Sequence, residues 1–333
     1  MLLKMTLMLC GILIKTDYKQ LNRFVRKTKL LIIAGLIGVC CLISCKKEGM
    51  DNHGNSNVDG DKTEDTLPEL EEVDDVCTKM DDINFMKYCY DNFDVNKDGK
   101  VSMPEANAVK SISYADLINS GSLSLCNVVS FTGIEYFSNL ENISLGGNNI
   151  SVNPKVKTIN LCYNKHLTSI SMLGASNISS LDLRYNKNLQ HCSIRYASNL
   201  SSLDLRTNIE LEYIKMEGCS KLKSIYLPKS IESIPASAFN GCDCLTIVDM
   251  SQCVDLKEIL MEEHTFNPIY TFSSEVIDEF LIGATVPPKT SITSNRPIKS
   301  KSIKTLKVPA ESVEAYENSV WEDYAVKIIP LEN

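Results

Sequence analysis

Tryptophan is nearly missing from this chain: there is one in 333 residues, with four histidines and 15 glycines spread thinly along it. An active site built on clustered histidines or a glycine-rich phosphate loop has little raw material here, and no HExxH, GxSxG or P-loop pattern occurs. Positive charge is also in deficit. Lys plus Arg number 34 against 42 Asp plus Glu, a net charge of −8, which removes the basic footprint that a nucleic-acid partner requires. With 44% apolar and 23% charged residues, the chain is neither wholly disordered nor a polytopic membrane protein.

What is present begins with a targeting pattern. Residues 22 to 29 (NRFVRKTK) carry four positive charges, and residues 30 to 44 (LLIIAGLIGVCCLIS) are an apolar run of signal-peptide length, short of a membrane span. The run ends in Leu42-Ile43-Ser44-Cys45, which resembles the bacterial lipoprotein box, so Cys45 is expected to take the lipid and become the N-terminus. An uncleaved anchor is the alternative. Removing residues 1 to 44 takes away seven basic side chains and one acidic one, leaving 27 basic against 41 acidic. Thirteen acidic residues and four basic ones lie between Lys46 and Asp82, so residues 45 to 76 read as the lipidated cysteine and a flexible acidic tether. Within it Asp65-Thr66-Leu67 resembles an O-glycosylation signal, which marks Thr66.

A helical cap is expected over 77 to 118. Residues 82 to 93 (DINFMKYCYDNF) place Ile83, Met86, Cys89, Tyr90 and Phe93 at helical spacing. The twelve residues that follow, DVNKDGKVSMPE, put oxygen side chains at Asp94, Asn96, Asp98, Ser102 and Glu105, a backbone carbonyl at Lys100 and a turn glycine at Gly99. This is the EF-hand pattern, because a hard cation wants six to eight oxygens and alternate residues of a tight loop turn inward. A structural Ca2+ is therefore expected, the metal-free alternative being a turn that caps the helix beginning near Pro104. No second loop is present to pair with it, so a signalling role is not expected.

The strongest pattern is a repeat. From Val156 the chain reads VKTINLCYNKH, LTSISMLGASN, ISSLDLRYNKN, LQHCSIRYASN, LSSLDLRTNIE and LEYIKMEGCSK, six units of eleven residues that follow the leucine-rich signature. Eleven extended residues span only about 36 Å, about half of what a coil enclosing two layers of side chains needs. Two units must therefore close one coil, and the near-identity of SSLDLRYN and SSLDLRTN, 22 residues apart, supports this. The ninth slot alternates accordingly: Asn164, Asn186 and Asn208 on one phase, and Ala175, Ala197 and Cys219 on the other. The expected fold is mainly β: a leucine-rich-repeat solenoid over 119 to 262, with a strand on each side of every coil and the asparagines bonding turn backbone. Cys219, Cys242 and Cys253 fall in the turn slot, and are read as reduced core residues more readily than as a Cys219–Cys242 disulfide.

The stretch LKSIYLPKSIESIPASAFNGCDC and the ending LKVPAESVEAYENSVWEDYAVKIIPLE closely resemble the BspA-like leucine-rich repeats of bacterial surface proteins. With the lipobox and calcium loop, the chain is similar to Bacteroidetes surface lipoproteins of that family, and residues 263 to 333 read as its mixed C-terminal cap. The resemblance implies a non-enzymatic, outer-membrane lipoprotein exposed at the cell surface, adhering to a protein, matrix or host component through the lipid-anchored solenoid. A periplasm-facing orientation is the alternative for its location. For function, the alternative is a glycan-binding or scaffold lipoprotein of a nutrient-uptake complex. The outward positions of the asparagine phase nominate a recognition strip of Asn160, Tyr163, Asp182, Arg184, Tyr185, Asp204 and Arg206. The bland reading is that its carboxylates and guanidinium groups satisfy one another. Glu262-Glu263-His264 is read as a charged rim, and Trp321 as packing for the terminal cap in preference to a sugar platform.

Overall fold

The structure is a computed structural model, and it describes residues 67–113, 127–146, 155–260, 271–290 and 298–332. These form an alternation of short parallel strands and turns, stacked coil on coil. One five-stranded sheet contains β1 (Ser111–Ser113), β2 (Asn142–Leu145), β3 (Ser169–Leu173), β4 (His191–Arg195) and β6 (Tyr213–Lys215). A six-stranded sheet contains β5 (Ser202–Asp204), β7 (Ser224–Tyr226), β9 (Ile247–Met250), β11 (Ile277–Ile282), β13 (Ile303–Val308) and β14 (Ala325–Pro330). A three-stranded sheet joins β8 (Ser233–Ile234), β10 (Glu258–Ile259) and β12 (Lys289–Thr290).

Every strand pair is parallel, and the register shows why the sequence repeats as it does. Ile143, Ile170, Cys192 and Ile214 stack as one buried column. Leu203, Ile225, Val248, Phe280 and Leu306 stack as the other, with half-buried Ile328 at its end. Because side chains alternate along a strand, the residues flanking each column face outward on every coil. The halves at 167–177, 189–199, 200–210 and 211–221 carry one strand each, whereas those at 156–166 and 178–188 carry none, so the expected strand on each side of every coil is met only from residue 189 onward. The six-stranded sheet starts two coils into the repeat: Thr158 makes only an isolated bridge to Ser130, residues 180–182 carry no strand, and Leu181 is half-buried against the core that seals Leu203.

At the other end the parallel stacking crosses residue 263. Strands β11, β13 and β14 extend the six-stranded sheet, so the stretch read as a mixed cap carries solenoid architecture, with larger steps from β9 to β11 and from β11 to β13 before the 22-residue step returns at Ile303–Ala325. Aromatic side chains fill those wider coils. Phe239 stacks on Phe272 at 4.9 Å, Phe272 meets Phe280 at 5.2 Å, and Phe280 meets Trp321 at 5.8 Å. Helices α3 (Val313–Glu317) and α4 (Trp321–Tyr324) close this end. Trp321 is fully buried and its Nε1–H donates to the Pro288 carbonyl at 3.0 Å.

The N-terminal cap consists of α1 (Ile83–Phe93) and α2 (Met103–Ala108) with a short 3-10 turn at Val76–Lys79. Helix α1 buries Phe85, Tyr88 and Cys89, whereas Ile83, expected on the inner face, stands 71% exposed in the first turn. Asp82 is the joint. One carboxylate oxygen caps α1 by accepting the N–H groups of Asn84 (2.8 Å) and Phe85 (3.3 Å), and the other accepts those of Val129 (2.6 Å) and Ser130 (3.3 Å) at the first coil. Burial opposes ionisation of Asp82, but these four donors outweigh it and hold its pKa below the ordinary value. No described helix is long and apolar enough to cross a membrane.

Candidate functional site

The calcium-loop residues lie together between α1 and α2. Gly99 has φ +85°, the left-handed turn for which glycine was expected there. The acidic side chains are spent on the loop itself. Asp94 accepts the N–H groups of Asp98 (3.2 Å) and Gly99 (3.0 Å), Asn96 accepts that of Asp98 (2.9 Å), and Asp98 accepts that of Lys100 (2.9 Å). Glu105 accepts from Val95 (2.9 Å) and Asn96 (3.3 Å) with one oxygen, and from the Ser102 N–H (2.9 Å) and hydroxyl (2.8 Å) with the other. The Ser102 donors lead in pulling the Glu105 pKa down to about 2. Ser102 and Glu105 thus form a capping box at the start of α2, with Pro104 in its first turn. Five side-chain oxygens and the Lys100 carbonyl suit a hard cation by chemical type. Their placement serves the loop's amides, and among the described residues no three His, Cys, Asp or Glu side chains converge as a metal site.

The nominated strip is brought onto the edge of successive coils, and its first task is folding. Asn160, Asp182 and Asp204 each accept the backbone N–H two residues on, from Cys162, Arg184 and Arg206, all at 3.1 Å. Arg184 and Arg206 then clasp Asp182 and Asp204 through Nη2 at 2.9 and 2.6 Å. Asp204 stays ionised below its ordinary range because the Arg206 contacts overcome its partial burial. Exposed pairs of this kind contribute about 0–1 kcal/mol each. The self-pairing reading of the strip is therefore what the geometry displays. Tyr163 donates its hydroxyl to the Pro68 carbonyl at 2.9 Å, so the segment that precedes the cap reaches this edge. Arg184 lies 5.8 Å from the Tyr185 ring centre, and Arg206 4.8 Å from that of Tyr226, a strip residue the repeat alignment had not nominated. Cys45, Thr66 and the Glu262-Glu263-His264 cluster lie outside the described residues.

Inside the coils, the asparagine ladder is explicit. The Asn186 amide donates to Leu161 O (3.0 Å) and Asn164 O (2.8 Å); Asn208 donates to Leu183 O (2.9 Å) and Asn186 O (2.8 Å). Asn164 does the same to Ile134 and Phe137. The cysteines of the turn slot substitute for it: Cys219, Cys242 and Cys253 each point Sγ–H at a carbonyl of the preceding coil, 3.1 to 3.2 Å away. Burial pushes the Cys192 and Cys253 thiols up to about 12, and Cys77, Cys89, Cys192, Cys219, Cys242, Cys244 and Cys253 form no disulfide.

Parallel strands recurring at 22-residue steps over stacked aliphatic columns, with an internal ladder of turn asparagines, define a leucine-rich-repeat solenoid. The family model for the BspA type leucine rich repeat region matches six copies, over residues 127–272 and 193–326. The chain belongs to the BspA-type leucine-rich-repeat family. No curated protein matches it. Among solved structures, it is similar to internalin C2 of Listeria monocytogenes at 11% identity, covering 79% of this chain and 100% of that one, with a TM-score of 0.32. The functional domain of InlJ from the same species, which includes a cysteine ladder, is 12% identical over 77% of this chain and 61% of its own, TM-score 0.28. A leucine-rich repeat protein of Bacteroides ovatus is 14% identical over 68% and 61%, TM-score 0.19.

Proposed function

We propose that this chain is a non-enzymatic binding protein of the cell surface, anchored by a lipid on Cys45 and presenting its solenoid to another protein in the surroundings, as an adhesin does. The observation that carries the reading is the outward repetition of side chains on stacked coils, which gives a long, regularly patterned flank in place of a single cleft. The acidic stretch after Cys45 serves as the tether, and an outer-membrane position follows from the lipobox. Burial of Trp321 removes the one tryptophan from the sugar-platform role and weakens the glycan-binding alternative.

Protease treatment of intact cells, followed by capture of partners with and without chelator, tests this reading. Digestion in whole cells and recovery of a protein partner support it; resistance until lysis contradicts surface display. Calcium at Asp94, Asn96, Asp98, Lys100 O, Ser102 and Glu105 belongs to the same proposal as a structural ion, supplying charge neutralisation that stiffens the cap. Calcium is expected to raise the melting temperature of the protein and to leave the Glu105→Gln variant unmoved. An equal response in both proteins, or none in the native chain, would reject the site and keep the loop as a helix cap.

A further inference from the structure

The five-stranded sheet carries an outward cluster that the repeat alignment passes over. On β4 and β6, His191 stands opposite Tyr213 and Ser193 opposite Lys215. At the end of β4, Arg195 meets Glu217, two residues past β6, through Nε (3.0 Å) and Nη2 (2.6 Å), and the Lys215 ammonium lies 4.0 Å from the same carboxylate. Two cations therefore share one anion, and that anion also accepts the Tyr196 hydroxyl at 3.2 Å. In the pairs Arg206–Asp204, Lys257–Glu232, Lys304–Asp278 and Lys307–Glu279, by contrast, one cation faces one anion. The Lys215 side chain is 21% exposed and the Arg195 side chain 35%, so the surplus charge is partly desolvated, where an incoming carboxylate gains most.

A second, independent observation marks the same place. Tyr196 has φ +58°, in the left-handed region, at a slot filled by Gly174, Gly218 and Gly241 on other coils, each also with positive φ. Its ring lies over Gly218, where an added Cβ would come within 2.3 Å of it. Three glycines show what that turn prefers, and a tyrosine held there against its backbone preference sits beside the two cations that share Glu217. Backbone strain of this kind collects at working surfaces.

We infer that Arg195, Lys215, Tyr196 and Tyr213 form a docking surface for an acidic segment of a partner protein, whose carboxylate completes the charge balance that Glu217 leaves unfinished. Tyrosine and arginine flanking a partly desolvated charge are the side chains from which binding hot spots are made. The inference rests on the protein-binding reading above and names its face: the five-stranded sheet in place of the edge strip of Arg184 and Arg206, whose charges are already matched.

The test uses the folded soluble chain and an oligoglutamate peptide, measured by calorimetry at low and physiological salt. Binding should weaken with salt and fall about tenfold in Lys215→Gln, the size expected for one lost charge-assisted contact. Tyr196→Gly restores the residue preferred at that turn, so it keeps the fold while lowering affinity. Arg206→Gln should bind as the native chain does. Equal binding by Lys215→Gln, or a loss confined to Arg206→Gln, overturns the assignment of this face while leaving the protein-binding reading intact. Preference for an oligouronate over the peptide overturns the inference and supports a glycan partner. Native recovery of a protein partner from cells that is unaffected by Lys215→Gln likewise rejects the face alone.

Discussion

Asn186 shows how one side chain holds two coils in step. Its amide is fully buried and serves two carbonyls of the coil below, while its own Oδ1 lacks a partner among the described residues. Asn186→Ala strands two buried acceptors, and urea unfolding should show a loss of about 2–4 kcal/mol. Asn186→Cys should cost about half as much, because a thiol in that slot keeps one donor, as Cys253 does toward the Pro228 carbonyl, and brings no orphaned oxygen. An Asn186→Cys variant as damaged as the alanine would show that the cysteines of the ladder fill space without bonding. The ladder was legible in the repeat because Asn164, Asn186 and Asn208 recur in one slot. The strained turn at Tyr196 was legible only in part: aligning LGA, RYA and EGC puts Tyr196 among glycines, but nothing in the letters says that the backbone stays left-handed when the glycine is gone.

Among elements, the joint between α1 and the first coil depends on Asp82. Its folded-state pKa lies below the unfolded value, so its contribution is complete above the ordinary carboxylate pKa, about 3.9, and is lost as pH falls through the depressed value. Acid titration should therefore loosen the cap before the coils, and Asp82→Asn should remove that step together with about 1–3 kcal/mol of stability. Amide hydrogen exchange of Val129 and Ser130, read against Ile170 and Ile214, distinguishes loosening of the joint from global unfolding. The helical cap could be anticipated from spacing, yet Ile83 turned outward, because the N-cap at Asp82 sets the phase of α1 and that phase buries Phe85 and Tyr88. In the calcium loop, residue type pointed to a cation, whereas the hydrogen bonds of Glu105 are those of a capping box; the two uses need the same Ser102 and Glu105.

Over the whole molecule, coils of two halves make stability a sum of neighbouring contacts, so damage at one end should propagate weakly to the other. Trp321 anchors the C-terminal end against Phe280, Tyr316 and Tyr324. Trp321→Ala should cost about 3–5 kcal/mol locally, with a new early transition on heating and little change at the N-terminal cap; a single cooperative shift of the entire melt would contradict that independence. The continuation of the sheet through β11 and β13 was hidden from the eleven-residue pattern because larger steps between those strands blur the period while leaving the register intact, although β14 returns to a 22-residue step.

The central claim is that equivalent residues of adjacent coils lie side by side every 22 positions. Ser202 and Ser224 face outward with their hydroxyl oxygens 2.7 Å apart, so a Ser202→Cys/Ser224→Cys pair, made in a Cys244→Ser background to remove the exposed native thiol, should close into an intramolecular disulfide under mild oxidation. A Ser202→Cys/Ile225→Cys pair should not, since a one-residue slip sends the second thiol into the core. Efficient cross-linking of the slipped pair with an inert in-register pair would contradict the coil.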